Sequence, residues 1–323
     1  MTAGRQWIAT DFGGPEVLQL REVDLPSPGP GEVTIAVRAS GMNPADYKHF
    51  GPGQDGRLLP LTIGYEAAGV LAAVGPGASI ATGAAAGGDE VIAFQIQGGY
   101  ASALNVRADD VFAKPGTLDF AQAANLLLTG TTAAELLATA AVAEGDTVLL
   151  HGAAGAVGLS VLQQARLIGA RVIGTASADN SGLVESFGAV PVPYGGGPDA
   201  LAARVRGAAP EGIAAVLDTV GTDEAVDASL SLLKDRRRLV TLTAFRRAAV
   251  EGFTAIGASN PASGPFRAKA RAGLVEMAAA GDLTVRIART FPFQDARQAV
   301  TALNGRHPSG KLALVLDAQG GLG

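Results

Sequence analysis

From residue 147 to residue 242 the sequence alternates between short apolar runs and longer stretches with helical spacing. This alternation limits the possible folds more than any other feature of the chain. Residues 147–150, 171–174, 190–192, 214–217 and 239–242 read as strands, with 253–256 as a sixth. Residues 159–168, 181–187, 199–206 and 224–233 read as helices, and Gly169 and Gly188 end the first two. Parallel strands need long crossovers and antiparallel ones do not, so a strict β-α-β-α order implies a parallel, doubly wound sheet.

The chain on either side follows other rules. The first third has short apolar segments broken by Gly13-Gly14-Pro15, Pro52-Gly53, Gly75-Pro76-Gly77 and Gly87-Gly88, the pattern of a β-rich, barrel-like domain. Residues 33–37 alternate as a half-buried strand does. Residues 119–141 read as one helix, with Asp119 as its N-cap. After Pro261 come helices at 266–280 and 295–303. A closing strand at 311–316 is expected to pair back onto the first domain. A length of 323 residues fits about two domains. The expected division is 1–120, 121–262 and a C-terminal return at 263–323.

Composition narrows the function classes. Hydrophobic residues are 48% and charged ones 17%, enough for large cores. A net charge of -5 argues against nucleic acid or an anionic membrane as partner, since both reward a basic face. There is no cysteine, so disulfides and thiolate metal sites are excluded. His49, His151 and His307 are scattered, and no metal is expected. No signal-peptide pattern or membrane-length apolar run is visible, and the expected location is cytoplasmic.

The chemistry centres on the turn from Leu150 to Gly158. The run His151-Gly152-Ala153-Ala154-Gly155-Ala156-Val157-Gly158 follows a buried strand and opens a helix, the setting of a dinucleotide fingerprint. Gly155 lets backbone approach a pyrophosphate, and Gly158 lets the helix pack close to the sheet. The strict G-x-G-x-x-G pattern has Ala153 in place of its first glycine. The next strand ends Gly174-Thr175-Ala176-Ser177 with no acid to hold a ribose 2′-hydroxyl. Ser177 and Asn180 suit a 2′-phosphate, which favours NADPH. The plainer reading is a polar turn capping the helix at Ser181.

The order of several short motifs resembles the zinc-independent quinone oxidoreductase branch of the medium-chain dehydrogenases/reductases, the zeta-crystallin-like family. They are 12–18, Gly41-Met42-Asn43-Pro44-Ala45-Asp46, Gly64-Tyr65-Glu66-Ala67-Ala68-Gly69, Gly98-Gly99-Tyr100, the turn above, Asp218-Thr219-Val220-Gly221 and Gly310-Lys311. The resemblance covers nearly the whole chain. It implies an α/β architecture, with a GroES-like β-rich catalytic domain built from both chain ends and a Rossmann doubly wound parallel sheet. Zinc members carry Cys in the segment matching 41–46 and Gly-His-Glu where this chain has Gly64-Tyr65-Glu66.

The resemblance also implies roles. Asn43 would sit near the nicotinamide, and Thr132 would bond its carboxamide. Tyr47 or Lys48 would face the substrate, since relatives place a tyrosine where Lys48 stands. Gly152, Ala154, Gly155, Ala156, Val157 and Gly158 would form the pyrophosphate turn. Ser177, Asn180 and Tyr194 would hold the adenosine 2′-phosphate, although many relatives have a basic residue at the position of Asn180. Val220, Leu242 and Thr243 would flank the nicotinamide ribose, and Lys311 would approach the cofactor. The implied activity is reduction of quinones or α,β-unsaturated carbonyl compounds by NADPH, in a homodimer paired through the 253–256 strand. Two alternatives stand beside it. One is an enoyl-thioester reductase with Lys48, Arg57 and Arg267 at a basic entrance. The other is a non-catalytic NADPH-binding protein. His151 reads as a local packing residue, and Tyr65 reads as filling vacated metal space. Asp46 reads as a cap, and the charges at 234–238 and Arg267, Lys269 and Arg271 as solvated faces.

Overall fold

The computed structural model describes residues 2–52, 59–257, 260–305 and 309–317. In chain order the strands and helices are β1 (Thr2–Ala9), β2 (Leu18–Leu25), β3 (Glu32–Met42), α1 (Pro44–Lys48), β4 (Leu61–Thr62), β5 (Glu66–Val74), β6 (Glu90–Phe94), β7 (Ala103–Arg107), β8 (Val111–Ala113), α2 (Phe120–Ala123) and α3 (Leu126–Thr139). There follow β9 (Thr147–His151), α4 (Ala156–Ile168), β10 (Arg171–Ala176), α5 (Ser181–Ser186), β11 (Val190–Pro193), α6 (Pro198–Ala208), β12 (Ala215–Asp218), α7 (Asp223–Leu232), β13 (Leu239–Thr241), α8 (Phe245–Glu251) and β14 (Thr254–Ala255). The chain closes with α9 (Ser263–Ala279), β15 (Ile287–Pro292), α10 (Ala296–Asn304) and β16 (Lys311–Val315). Two compact units result: Met1–Leu128 with Ala272–Gly323, and Thr129–Arg271.

The second unit carries a six-stranded sheet in the order β11-β10-β9-β12-β13-β14, with every neighbouring pair parallel. This is the doubly wound Rossmann order, and the strand sequence reverses between β9 and β12. Its central strands are apolar on both faces because helices cover both: Val148, Leu149 and Leu150 are fully buried. Leu150 packs with Leu136, Leu159 and Leu162 on one side. Leu149 packs with Leu201, Val205 and Val226 on the other.

The first unit is β-rich. A sheet runs β15-β16-β3-β5-β6-β8, β7 also pairs with β3, and a smaller sheet runs β2-β1-β4. The expected return of the C-terminal strand is present: Leu312 pairs with Met42 and Val315 with Ala39, antiparallel. The strand expected at 33–37 runs on to Met42, because β3 is a shared spine for β16, β5 and β7.

One expectation fails. Residues 119–141 are two helices, α2 and α3, not one. Asp119 caps α2 as expected, accepting from Gln122 N at 2.8 Å. The break falls at Ala124 and Asn125. Asn125 is fully buried, donates Nδ2 to Ala121 O at 2.9 Å and accepts from Met42 N at 3.2 Å. Its side chain fixes the break by bonding backbone on β3, which no local helix propensity reports.

Candidate functional site

In the second unit the glycine turn leaves the C-terminal end of β9. Gly152 has φ +76°, a conformation that an L side chain adopts only under strain. It therefore makes the tight turn that the fingerprint assigns to its first glycine, one residue before Ala153. Ala153 is fully buried, and Gly174 on β10 leaves it room. A Cβ on Gly158 would overlap the carbonyl oxygen of Gly152 and reach 2.7 Å from that of Ala153, so α4 lies directly against the turn. Gly155 is the N-cap of α4 and offers no side-chain cap, and a Cβ there would meet only Gly152 O at 3.3 Å. The first-turn amides of Ala156, Val157 and Gly158 thus lie at a helix start that the N-cap side chain leaves uncapped. Their dipole and N–H groups suit an anion such as a pyrophosphate.

The neighbouring strand ends are fixed by buried polar groups. Asp218, fully buried at the end of β12, accepts from Val220 N at 3.0 Å and Gly221 N at 2.9 Å. Its other oxygen accepts from Thr241 Oγ1 at 2.7 Å. That hydroxyl in turn accepts from Thr243 N at 3.1 Å and Ala244 N at 3.0 Å. One carboxylate therefore shapes both loops in which Val220, Leu242 and Thr243 lie. His151 packs locally as expected. Its Nε2 meets Ser229 Oγ at 2.9 Å, and burial pulls its pKa down to about 4, so the ring is neutral. Thr132 is buried on α3.

At the end of β10, Asn180 Nδ2 donates to Ser177 Oγ at 3.0 Å, so these two residues stand together. Asn180 precedes α5 but makes no side-chain cap. Tyr194 leaves β11 beside them and is 59% exposed.

The first unit brings Asn43 and Lys311 into one buried cluster. Asn43 is the residue before α1. Its Nδ2 donates to Glu66 Oε1 at 2.9 Å, and its Oδ1 accepts from Lys311 Nζ. Lys311 Nζ also donates to Met42 O at 2.7 Å and lies 3.7 Å from Glu66 Oε1. Glu66 Oε2 accepts from Leu128 N at 3.1 Å. Asp46 Oδ2 accepts from Asn43 N at 2.7 Å and from Tyr100 OH at 3.0 Å. Asp46 Oδ1 is buried with no hydrogen-bond partner among the described residues.

Two carboxyl groups and one ammonium are thus withdrawn from water together. Burial pushes Asp46 up to about 7, against the pull of the Asn43 amide and Lys311. Burial also raises Glu66 and Tyr100 and lowers Lys311. The cluster balances its charge when one carboxyl keeps its proton, and Asp46, with the unpartnered oxygen, is the one placed to do so.

Tyr47 is half-buried, its ring edge-on to Phe50 with centroids 5.2 Å apart, while Lys48 is exposed. Tyr65 is hydrogen-bonded to His49 Nε2, and burial pushes the phenol up to about 12. Among the described residues, no group of three His, Cys, Asp or Glu could hold a metal ion, and no helix is long and apolar enough to cross a membrane.

Three surface readings change. Arg267 pairs with buried Glu135 at 2.6 Å and Arg271 is itself buried, so of these three basic residues Lys269 alone is exposed as expected. Arg238 donates to Ala140 O and Asp146 and ties the start of β13 to α3 and β9. Asp46 does more than cap a helix, being a member of the buried cluster. Of the three basic residues considered for a thioester entrance, Arg267 is spent on Glu135, Lys48 is exposed, and Arg57 lies outside the described residues. Asp46, Glu66 and Tyr100 were missed as a group. Each sits in a short motif, but only folding shows that the three motifs share one buried volume.

Residues 29–142 match the alcohol dehydrogenase GroES-like domain, and residues 191–314 match a domain described as zinc-binding dehydrogenase. Human quinone oxidoreductase is 41% identical over 173 residues, 52% of this chain and 51% of that protein. The chain thus spans about half the length of the curated relatives it matches. A solved mycobacterial quinone oxidoreductase is 32% identical with a TM-score of 0.79, covering 97% of this chain and 100% of its own. A mycobacterial structure complexed with NADPH is also 32% identical, with the same coverage and a TM-score of 0.81. By these matches the chain belongs to the medium-chain dehydrogenase/reductase family, of the quinone oxidoreductase type.

Proposed function

We propose that this chain is an oxidoreductase that uses NADPH to reduce quinones or α,β-unsaturated carbonyl compounds without zinc. The observation that carries the reading is the uncapped start of α4 at the end of the central strand β9, beside a β10 end that lacks an acid. The relatives named above support it, one as a quinone oxidoreductase and one as an NADPH complex.

When bound, the reduced nicotinamide supplies the hydride. In this reading the amides of Ala156, Val157 and Gly158 receive the pyrophosphate, with Gly152, Ala154 and Gly155 shaping the turn. Ser177, Asn180 and Tyr194 receive the 2′-phosphate. The backbone at Val220, Leu242 and Thr243 flanks the nicotinamide ribose, held by Asp218 and Thr241. Thr132 bonds the carboxamide. Asn43 stands near the ring, oriented by Glu66 and Lys311. Tyr47 and Lys48 are the candidates to face substrate.

The donor chemistry of the described residues supports a reading without zinc. The chain has no thiolate, and both Glu66 oxygens are committed to Asn43 and Leu128, with the Lys311 ammonium beside them. An acceptor whose negative charge delocalises, such as a quinone or enone, suits a site without a strong Lewis acid, and solvent supplies the proton. The 253–256 strand lies at the sheet edge as β14, and pairing of two such edges would give a homodimer, which light scattering tests.

The test is loss of NADPH absorbance with a panel of quinones and enones. Turnover on at least one class is expected. Tight NADPH binding with no turnover anywhere would instead support a non-catalytic binding protein. Saturable turnover of a crotonyl thioester in preference to free enones would favour an enoyl-thioester reductase.

A further inference from the structure

The loop after β11 has unusual backbone. Gly195, Gly196 and Gly197 have φ of 96°, 86° and 88°, three successive residues in the left-handed region. Such a loop is floppy unless held, and this one is held from two sides. Glu224 on α7 accepts from Gly195 N at 3.2 Å and from Gly197 N at 3.0 Å. Arg204 on α6 donates Nε to Pro193 O at 2.9 Å and Nη2 to Gly195 O. Those two carbonyls flank Tyr194.

This clamp uses only part of the guanidinium. Nη1 makes no hydrogen bond among the described residues. It lies beside Gly196, where a Cβ would stand 3.8 Å from it. The loop borders the end of β10. Ala176 pairs with Pro193 in parallel register, so Ser177 and Tyr194 leave neighbouring strands side by side. In a doubly wound sheet the end of the second strand is where the substituent on the adenosine ribose 2′ position is read, by an acid for a hydroxyl or by an arginine for a phosphate. Here residues 174–178 contain no acid. Asp179 is exposed, and the Glu224 carboxylate is already committed to two amides.

We propose that Arg204 is a specificity-determining residue of this site, donating from its Nη1 edge to the 2′-phosphate, with Ser177, Asn180 and Tyr194 as uncharged partners. This inference rests on the dinucleotide reading above. Two backbone bonds already fix the guanidinium, so little side-chain entropy is lost when it meets the phosphate. A charge-assisted bond to a phosphate oxygen has no counterpart in NADH.

The test is a binding series on the full chain with four probes: NADPH, NADH, 2′,5′-ADP and 5′-AMP. Arg204→Met is expected to weaken NADPH and 2′,5′-ADP by about ten- to a hundredfold. NADH and 5′-AMP should stay within about twofold, which also shows that the variant is folded. Arg204→Lys should fall between the two. Equal weakening of all four probes would make Arg204 a loop clamp only and overturn the proposal, as would unchanged binding of the two phosphorylated probes. A wild-type chain that binds neither dinucleotide would instead overturn the cofactor reading itself.

Discussion

Lys311, the first residue of the last strand, hydrogen-bonds Asn43 across 268 positions of sequence. The bond joins the returning C-terminal segment to the start of α1, and both partners are buried. It makes the conformation of Asn43 depend on correct docking of β16 against β3.

Removing that ammonium leaves Glu66 and Asp46 buried without a cation. Lys311→Met should cost roughly 3–5 kcal/mol of stability, the range for breaking a buried ion pair from one side. Urea unfolding measures it. The double variant with Glu66→Gln should recover part of the loss, because the stranded charge is gone. A strictly additive double variant would show that the pair does not interact.

Asp46 should make stability pH-dependent in a defined direction. Its folded pKa, about 7, lies above the ordinary 3.8, so the folded state holds the extra proton. That contribution is complete below about pH 4 and is lost as pH rises through about 7. Glu66, also raised, acts in the same sense, and the lowered Lys311 acts in the opposite one. Asp46→Asn should flatten the fall in urea midpoint between about pH 4 and pH 7. Parallel profiles for the two proteins would contradict the assignment.

Gly158→Ala tests the turn. The added methyl would overlap the Gly152 carbonyl, forcing α4 away from β9 at a cost of about 1–3 kcal/mol. Thermal unfolding should show the loss, and NADPH fluorescence should show weakened binding. A variant with wild-type stability and affinity would mean that the helix start can shift freely.

Thr132→Val separates the nicotinamide end from the adenosine end. Turnover should fall by about tenfold or more, the scale of one lost hydrogen bond to the reacting group. Affinity for 2′,5′-ADP should not move. A matching loss in 2′,5′-ADP affinity would place Thr132 in the packing of α3 rather than in the reaction.

The parallel sheet was legible because its code is local. Each strand is an apolar run, each crossover has helical spacing, and Gly169 ends its helix as read, in a left-handed conformation that the structure supplies. The turn at 150–158 was legible for the same reason, although the tight bend lies at Gly152 rather than at Ala153. The helix at 119–141 was misread because Asn125 breaks it through a bond to β3, a partner 83 residues away. Arg267 was misread because charge pattern along a helix does not reveal the buried Glu135 that it meets, and Arg271 because that pattern does not report its burial.

The sequence by itself determined the architecture, the family and the lack of thiolate ligands, since these depend on residue type and short-range order. Only the tertiary structure decided that Asn43, Asp46, Glu66, Tyr100 and Lys311 form one buried cluster, and that Arg204 bonds the backbone carbonyls on either side of Tyr194. Hydrogen bonds and desolvation act over a few ångströms in space. Their partners come from segments that the sequence separates, so nothing local in the chain records them.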